Sequence, residues 1–378
     1  MIRRLFLLYF FFTQACTTQV WVEIACGPQY SCAINKQKEL WCWGGDNDYP
    51  VAREWKEIPY IGGPRSVWQK LKLVGPDTTI NKKRTLINAE LNDWIDLSAG
   101  SSICAISGNG SLWCIVDMPT THIELVAPGP FRSVWVDPQQ EDYTHHNKRT
   151  FQGYALKTDG SLWRFIKPTQ NSTSAWQFNE VKLSNPTINV TTMAIGGSHI
   201  CIISSDGLMW CQGQNAAGQL GVGHEDDVNG LVQVLGKDWT TVSAGDKHTC
   251  ALKKDNSLWC FGKNHQGQVG VDQKESIVLQ PKRVSIDNVI NVVARNNTTC
   301  AITFNGELFC FGWLHRNSFT AQPQLIPGQN YDAVAIGYMH TCIKSRNGLV
   351  HCFGSNYNQQ LSASPSTYDL LAPGQLVR

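Results

Sequence analysis

The chain has 378 residues, of which 42% are hydrophobic and 16% charged, a composition typical of an ordered globular protein. Its 32 basic and 30 acidic residues nearly cancel, and the longest basic run is only Lys82-Lys83-Arg84, which argues against a nucleic-acid partner. The 14 Trp and 32 Gly residues favour many short strands joined by tight turns.

The N-terminus has the pattern of a secretory signal peptide. Arg3 and Arg4 precede an apolar stretch that starts at Leu5, and small and polar residues follow around Ala15. The stretch is too short to span a bilayer, which needs about 20 residues, and no later stretch approaches that length. We predict that residues 1–17 are a signal peptide cleaved after Ala15 or Thr17, and that residues 18–378 form one secreted domain. A buried first strand is the alternative.

Twelve of the 14 cysteines form a regular ladder of six pairs, in which the partners are ten positions apart. A seventh unit has the same frame with Tyr154 and Arg164 in the cysteine positions. Successive units start roughly 50 residues apart, and this period with strand-rich content is typical of a β-propeller. The pairs are Cys32 and Cys42, Cys104 and Cys114, Cys201 and Cys211, Cys250 and Cys260, Cys300 and Cys310, and Cys342 and Cys352.

Each unit has the pattern of a β-hairpin. Five units carry Asn-Gly or Asp-Gly midway between the cysteine positions, where a tight turn needs a residue that tolerates positive φ. Asn256 and Lys38 take the glycine position in the other two, and Lys38 predicts a strained or altered turn. Paired cysteines should then face each other with Cα atoms about 4.5–5.5 Å apart, within disulfide reach.

We therefore predict six disulfides, each within its own hairpin, as expected for an extracellular protein. Reduced core cysteines in a cytosolic protein are the alternative. Two cysteines remain outside the ladder. Cys16 and Cys26 either pair with each other or are one removed residue and one buried thiol, and a lipidated Cys16 is a third outcome.

The two ends of the chain are predicted to close the ring. Short strands that begin with proline, at Pro281 and Pro323, precede the last two units, whereas the first unit begins at Trp21 without one. Residues 373–378, which begin with Pro373, have the same character and are predicted to pair with the first hairpin. The predicted fold is all-β: a seven-bladed β-propeller with N/C-terminal blade closure.

The repeated sequence motif resembles the regulator of chromosome condensation repeat. It reads Gly-x-x-His-x-Cys-Ala-Leu, then Gly-x-Leu-Trp-Cys-x-Gly-x-Asn and Gly-Gln-Leu-Gly, most clearly at residues 196–221 and 245–270 and more weakly at 337–362. The resemblance covers residues 19–378 and implies a seven-bladed propeller. It does not imply one function, because the family includes a nuclear exchange factor for a small GTPase, plant receptor-kinase ectodomains and a secreted inhibitor of β-lactamase.

No motif supports catalysis, and we predict no catalytic residue, cofactor or metal. The chain lacks Gly-x-Ser-x-Gly, His-Glu-x-x-His and a phosphate-binding glycine loop. His199, His248 and His340 each stand two positions before a cysteine. A structural hydrogen bond to the backbone is favoured there over a metal site, because equivalent positions in a propeller are radially separated.

Ligand contacts are expected on the loops. The interval between the first two units contains Tyr49, Trp55, Tyr60 and Trp68, aromatic types favoured at interfaces and for stacking on sugars; the alternative is that they cover an irregular blade. The favoured function is a non-catalytic extracellular binding module for a protein or a glycan. A GTPase exchange factor and a secreted enzyme inhibitor are the alternatives. Five sequons offer glycosylation sites, at Asn109, Asn171, Asn189, Asn296 and Asn297.

Overall fold

The computed structural model describes residues 20–28, 30–44, 69–70, 93–100, 102–117, 122–138, 150–168, 175–183, 185, 188–272, 274–314, 319–338 and 340–354. Within these ranges the regular structure consists of 27 strands in seven antiparallel sheets, and no helix is long and apolar enough to cross a membrane. The first strand of each sheet contacts the first strands of the sheets on either side, which closes a ring. The predicted seven-bladed β-propeller is confirmed.

The strands follow chain order from sheet to sheet. The first three sheets contain β1 (Trp21–Cys26), β2 (Tyr30–Asn35), β3 (Leu40–Gly44) and β4 (Gln69–Lys70); β5 (Trp94–Ala99), β6 (Ile103–Ser107), β7 (Leu112–Asp117) and β8 (His122–Ala127); and β9 (Phe131–Val136), β10 (Thr150–Lys157), β11 (Leu162–Pro168) and β12 (Gln177–Glu180). The next two contain β13 (Val190–Ile195), β14 (His199–Ser204), β15 (Met209–Gly213) and β16 (Val228–Gln233); and β17 (Trp239–Ala244), β18 (His248–Lys253), β19 (Leu258–Lys263) and β20 (Ile277–Arg283). The last two contain β21 (Val289–Arg295), β22 (Thr298–Thr303), β23 (Leu308–Trp313) and β24 (Phe319–Ile326); and β25 (Tyr331–Ile336), β26 (His340–Ser345) and β27 (Val350–Gly354).

The innermost strand of each sheet divides its side chains between two environments. In β17, Trp239, Val242 and Ala244 are buried between blades, whereas Thr241 and Ser243 on the other face of the strand are only half-buried. A β-bulge after the first residue produces this pattern, and all seven inner strands carry a bulge at this place. The bulge therefore sets which side chains of the inner strand are buried between blades.

The predicted turns are present. The five turn glycines have φ between 77° and 88°, and Asn256 has φ 61°. Lys38 has φ 62°, so this residue takes the left-handed conformation that glycine adopts elsewhere in the ring. The strain predicted for this turn is confirmed, and the register of the hairpin is unchanged because Cys32 still faces Cys42.

Replacing Lys38 by Gly is expected to raise the free energy of unfolding by about 0.5–1 kcal/mol, because glycine has no Cβ to clash in the left-handed conformation. The Lys38 side chain is exposed, so little packing is lost. Lys36→Gly, in the same exposed turn, is the control and should not stabilise. Urea unfolding of the three proteins measures the difference, and equal effects of both substitutions would contradict the prediction.

The cysteines of the ladder face each other on the second and third strands of six sheets, as Cys250 and Cys260 do. The two Sγ atoms of each pair are 2.00–2.16 Å apart, which is bonding distance. The Cα atoms are 4.0–4.1 Å apart, closer than expected from the sequence. Each pair occupies a non-hydrogen-bonded position of the antiparallel strand pair, where the two strands lie closest together.

The third sheet has Tyr154 and Arg164 where the other sheets have cysteines. Tyr154 faces Arg164 in the register that the cysteines take elsewhere. Nearby, the Phe178 ring stacks on Trp163 with centroids 4.8 Å apart and meets the edge of Phe131 at 5.5 Å. Each such aromatic pair contributes about 0.5–1.5 kcal/mol beyond the area that it buries.

The predicted pairing of residues 373–378 with the first hairpin stays a prediction, because these residues lie outside the described part of the chain. In the first sheet, β4 lies beside β3 as the outer strand, and Trp41 faces Lys70. The strands that contain Pro281 and Pro323 pair with the hairpin before them and so complete the preceding sheet. The sheet with three described strands is therefore the last one, β25–β27, rather than the first.

The N-terminal and C-terminal sheets meet directly. β1 contacts β25 and β26, and the Trp21 backbone N–H donates to Gly348 O at 2.9 Å. On the other face of the ring, the backbone N–H of Tyr338 donates to Pro28 O at 3.2 Å. The ring thus closes by packing and hydrogen bonds between two complete hairpins.

Candidate functional site

A hydrogen-bonded chain of histidine, hydroxyl and carbonyl joins neighbouring blades. His199 Nε2 lies 2.8 Å from Thr249 Oγ1 in the next sheet, and this hydroxyl donates to Gln219 O at 2.8 Å. Because a hydroxyl carries one hydrogen, Thr249 must accept from the histidine, which fixes the proton on Nε2. His248 and Thr299 repeat the arrangement one blade further on, at 2.9 Å.

These two histidines are structural donors. Burial lowers the pKa of His199 to about 4 and that of His248 to about 3, so both are neutral at physiological pH. Their Nδ1 atoms have no hydrogen-bond partner among the described residues, so a second proton there would be buried without an acceptor. The structural role predicted for this position is present, but the acceptor is a side-chain hydroxyl rather than the backbone.

The glycine three positions before each histidine makes room for the imidazole. A Cβ on Gly245 would lie 2.1 Å from His248 Cε1, and one on Gly337 would lie 2.0 Å from His340 Cε1. The Gly-x-x-His pattern is therefore a packing requirement of the blade junction. His340 Nε2 lies 2.9 Å from Ser31 Oγ of the first sheet, so the same link joins the last blade to the first.

Cysteine and histidine atoms cluster at this last junction. Cys26 Sγ, a His340 ring nitrogen and Cys342 Sγ all lie within 4.8 Å of one another. Cys342 is at bonding distance from Cys352, and a disulfide sulfur is not the thiolate that a metal requires. Cys26 is a buried free thiol whose pKa is raised by burial to about 11, while Cys16 lies outside the described residues.

Half-buried polar side chains of the inner strands connect adjacent blades around the channel. Ser243 Oγ accepts from Ala294 N at 2.8 Å, and Ser98 Oγ accepts from Val136 N at 3.0 Å. In both cases the side chain of one blade binds a backbone N–H of the next. The channel wall is therefore a set of junctions between blades as well as a polar surface.

Two carboxyl groups occupy this wall side by side. Glu23 of β1 and Asp96 of β5 share a hydrogen bond, and they accept from Leu97 N at 3.3 Å and from Val134 N at 2.7 Å. Burial raises the pKa of Glu23 to about 8, with the Asp96 charge as the second cause, and burial raises the pKa of Asp96 to about 6. At neutral pH the pair therefore holds a shared proton.

Arg295 extends into the ring from the sixth sheet. At the end of its inner strand, it takes the position that glycine has in five other sheets. Its Nη1 donates to Cys26 O at 3.1 Å and to Ala99 O at 2.9 Å. These carbonyls end β1 and β5, so one side chain links three sheets. Burial lowers the pKa of Arg295, but an arginine remains a cation at neutral pH.

The sequence did not predict the roles of Glu23, Asp96 and Arg295. A signal for the carboxyl pair was nevertheless present, because WVEIAC and WIDLSA carry an acid at the same position of two inner strands. Arg295 could have been noticed as a break in the Gly-x-x-His pattern. The ligand contacts predicted at Tyr49, Trp55, Tyr60 and Trp68 all lie outside the described residues.

The predicted glycosylation sites differ in their surroundings. Asn109 and Asn189 are exposed, and Asn171 lies outside the described residues. Asn296 and Asn297 are half-buried: Asn296 Nδ2 donates to Gly337 O at 3.1 Å, and Asn297 Oδ1 accepts from Gln268 at 3.1 Å. A glycan on either of these two amides would disturb the packing between the last blades.

Comparison with known proteins agrees with this geometry. Models of the regulator of chromosome condensation (RCC1) repeat match residues 21–49, 206–252, 239–268 and 331–360. No curated protein matches the sequence.

Among solved structures, human WBSCR16 is similar with a TM-score of 0.53 and 15% identity, over 96% of this chain and 84% of that one. The structure of Kap60 bound to yeast RCC1 (Prp20) gives a TM-score of 0.50 and 16% identity, over 94% of this chain and 76% of that one. Identities this low show the fold alone. The chain is a seven-bladed β-propeller, and four segments of it match the regulator of chromosome condensation repeat.

Proposed function

We propose that this propeller is a secreted, non-catalytic binding protein that recognises a protein or a glycan outside the cell. The observation that carries the proposal is the set of six cysteine pairs at bonding distance, one in each of six blades. Disulfides persist in oxidising compartments and are rare in the cytosol and nucleus. In this proposal residues 1–17 are a signal peptide and residues 18–378 are the mature domain.

Binding without catalysis is supported by what the buried titratable groups do. The two histidines with lowered pKa hold neighbouring blades together, and Arg295 binds two backbone carbonyls. Asn109 and Asn189 are exposed sequons that would suit a protein passing through a glycosylating secretory pathway. A GTPase exchange factor, the alternative from the sequence, would work in the cytosol or nucleus with free thiols.

A thiol count tests the compartment. In mature protein denatured without reductant we expect one reactive thiol, that of Cys26, against 13 after reduction; a chain that retains Cys16 would give at most two against 14. Peptide mapping should link each cysteine of the ladder to the partner ten positions away. Twelve or more reactive thiols in protein isolated from its native source would overturn the proposal and favour the exchange factor.

Capture of a partner tests the binding role separately. The full-length protein, immobilised with its disulfides intact, should retain a protein or glycan from extracellular material that survives a salt wash and is identified by mass spectrometry. A reduced and alkylated sample is the control, because it lacks the folded surface. Equal retention by both samples, or none by either, would contradict a folded binding module.

A further inference from the structure

A free thiol lies beside a disulfide where the first and last sheets meet. Within the described ranges Cys26 is the one free cysteine, and it ends β1. Its Sγ lies within 4.8 Å of Cys342 Sγ in the last sheet. Ser31 Oγ contacts both sulfurs, at 3.5 Å from Cys26 Sγ and 3.4 Å from Cys342 Sγ. The free thiol and the disulfide sulfur are therefore close neighbours across the blade junction.

The packing of Cys26 selects the disulfide of the last sheet over that of its own sheet. Cys26 belongs to an apolar cluster that contains Cys342 and Cys352, whereas Cys32 belongs to a cluster shared with the second sheet. Cys32 faces Ala25, the residue next to Cys26 in β1. Because neighbouring residues of a strand point to opposite faces, the Cys26 and Cys32 side chains lie on opposite faces of the first sheet.

The last disulfide also has the most accessible sulfur of the ladder. Cys352 is half-buried, whereas the other eleven cysteines of the ladder are buried. Among the described strands, β27 pairs only with β26, while the third strand of every other sheet also pairs with an outer strand. A thiolate that leaves on Cys352 can therefore be hydrated, and a hydrated thiolate is a far better leaving group than a buried one.

We infer that Cys26 and the Cys342–Cys352 disulfide form a thiol–disulfide exchange site, which converts a bond within the last hairpin into a bond between the first and last blades. The Cys26 thiol gives its proton to solvent, and the thiolate forms a bond to Cys342 Sγ. The Cys342–Cys352 bond breaks, and its electron pair leaves on the Cys352 sulfur, which takes a proton from water. One thiol and one disulfide are present before and after, so the step needs no oxidant or reductant.

The surroundings of Cys26 determine how the exchange depends on pH. Burial raises the pKa of the Cys26 thiol to about 11, while the hydrogen bond with Ser31 and the charge of Arg295 act in the opposite direction. Tyr30 and His340 are the other titratable groups beside it. Since the thiolate is the nucleophile, exchange should be slow at pH 7 and accelerate about tenfold per pH unit up to pH 9.

Alkylation of the folded protein tests the exchange. Mature, oxidised protein is incubated with iodoacetamide at pH 7, 8 and 9, quenched in acid and mapped without reduction. We expect label on Cys352 together with a Cys26–Cys342 link, and at least about tenfold less label on the buried Cys26. Cys26→Ala is the control and should leave Cys342–Cys352 intact and unlabelled. This variant should fold, because alanine takes the corresponding place at Ala99 and Ala244.

A second variant tests the geometry of the product independently of its rate. Cys352→Ala leaves Cys26 and Cys342 as neighbouring thiols, and oxidised glutathione, which accepts two electrons, should join them in the folded protein. The matched variant Cys260→Ala leaves Cys26 and Cys250 as thiols in the first and fifth sheets. The same treatment should produce no link between these two.

Three results would overturn the inference: label on Cys26 with Cys342–Cys352 intact, no label on Cys352 at any of the three pH values, or no Cys26–Cys342 link in Cys352→Ala. A Cys26–Cys32 link in the alkylated protein would also do so, because unfolded chains favour the shorter loop.

The inference rests on the disulfides of the proposed function, and the two can fail separately. Free ladder cysteines in the native protein would remove both. If the ladder is oxidised but Cys26 does not exchange, the proposed function stands and only the exchange site is lost.

Discussion

Replacing Gly337 by Ala is expected to lower the free energy of unfolding by about 3 kcal/mol, the upper range for overpacking a buried site. The new methyl carbon would lie 2.0 Å from His340 Cε1 and 2.3 Å from its Nδ1, and the ring is fully buried at the junction of the last and first blades. Denaturant unfolding without reductant measures the loss. Gly230→Ala is the control, because a Cβ there meets nothing within 4 Å.

A second substitution distinguishes this cause from a general effect of alanine. The three atoms nearest the added Cβ all belong to His340, so His340→Thr should recover much of the stability of Gly337→Ala. The sixth sheet already combines a larger residue, Arg295, with Thr298 at these two positions. At Gly245 the backbone oxygen of Asn296 also lies only 2.8 Å away, so removing the His248 ring should not rescue Gly245→Ala. Additive losses in the double variant at Gly337 would contradict the packing explanation.

Glu23→Gln is expected to remove most of the decrease in stability that the protein shows between pH 6.5 and 8. The pKa of Glu23 rises from 4.5 to about 8 on folding, so the native state holds a proton that the unfolded state has lost. Stability from such a group is complete below the unfolded pKa and declines as pH rises through the folded pKa. Over this window the decline amounts to about 1.5 kcal/mol.

Two histidines act in the opposite direction, mainly at and below the lower end of this window, and Glu23→Gln leaves their contribution unchanged. His199 and His248 have folded pKa values of about 4 and 3 against 6.5 in the unfolded chain, so stability from them is lost as pH falls below 6.5. The glutamine keeps an oxygen that can accept from Leu97 N and an amide that can donate to Asp96. Unfolding at pH 6.5, 7.2 and 8 measures the slope, with Glu225→Gln, an exposed carboxylate, as the control. An unchanged slope in Glu23→Gln would contradict the shared proton.

Local spacing made much of the fold predictable. A turn residue midway between two cysteines determines which residues face each other, and even Lys38 did not change the register. Which of two neighbouring sheets the outer strand joins was not predictable in this way. Proline at Pro281 and Pro323 suggested the start of a unit, but an outer strand pairs on one edge only, where proline is tolerated.

The polar contacts between inner strands join residues that are distant in sequence. Glu23 and Asp96 become neighbours only because two inner strands align across a blade junction, and no local pattern expresses that. The histidines were more accessible, since their repeated position argued for a structural role. Their hydroxyl partners lie about fifty residues away in the next repeat and could not be identified from spacing alone.

The confinement of each cysteine pair to a single hairpin has a consequence for how such a ring can change by mutation. A cross-link that stays within one repeat can be lost there without freeing or straining its neighbours. The third sheet shows the outcome: Tyr154 and Arg164 stand in the cysteine positions and face each other in the same register. A disulfide between two repeats would couple two blades, so that one cysteine substitution would affect both. Here each blade can lose its disulfide independently of the others, so the ring can diversify one repeat at a time.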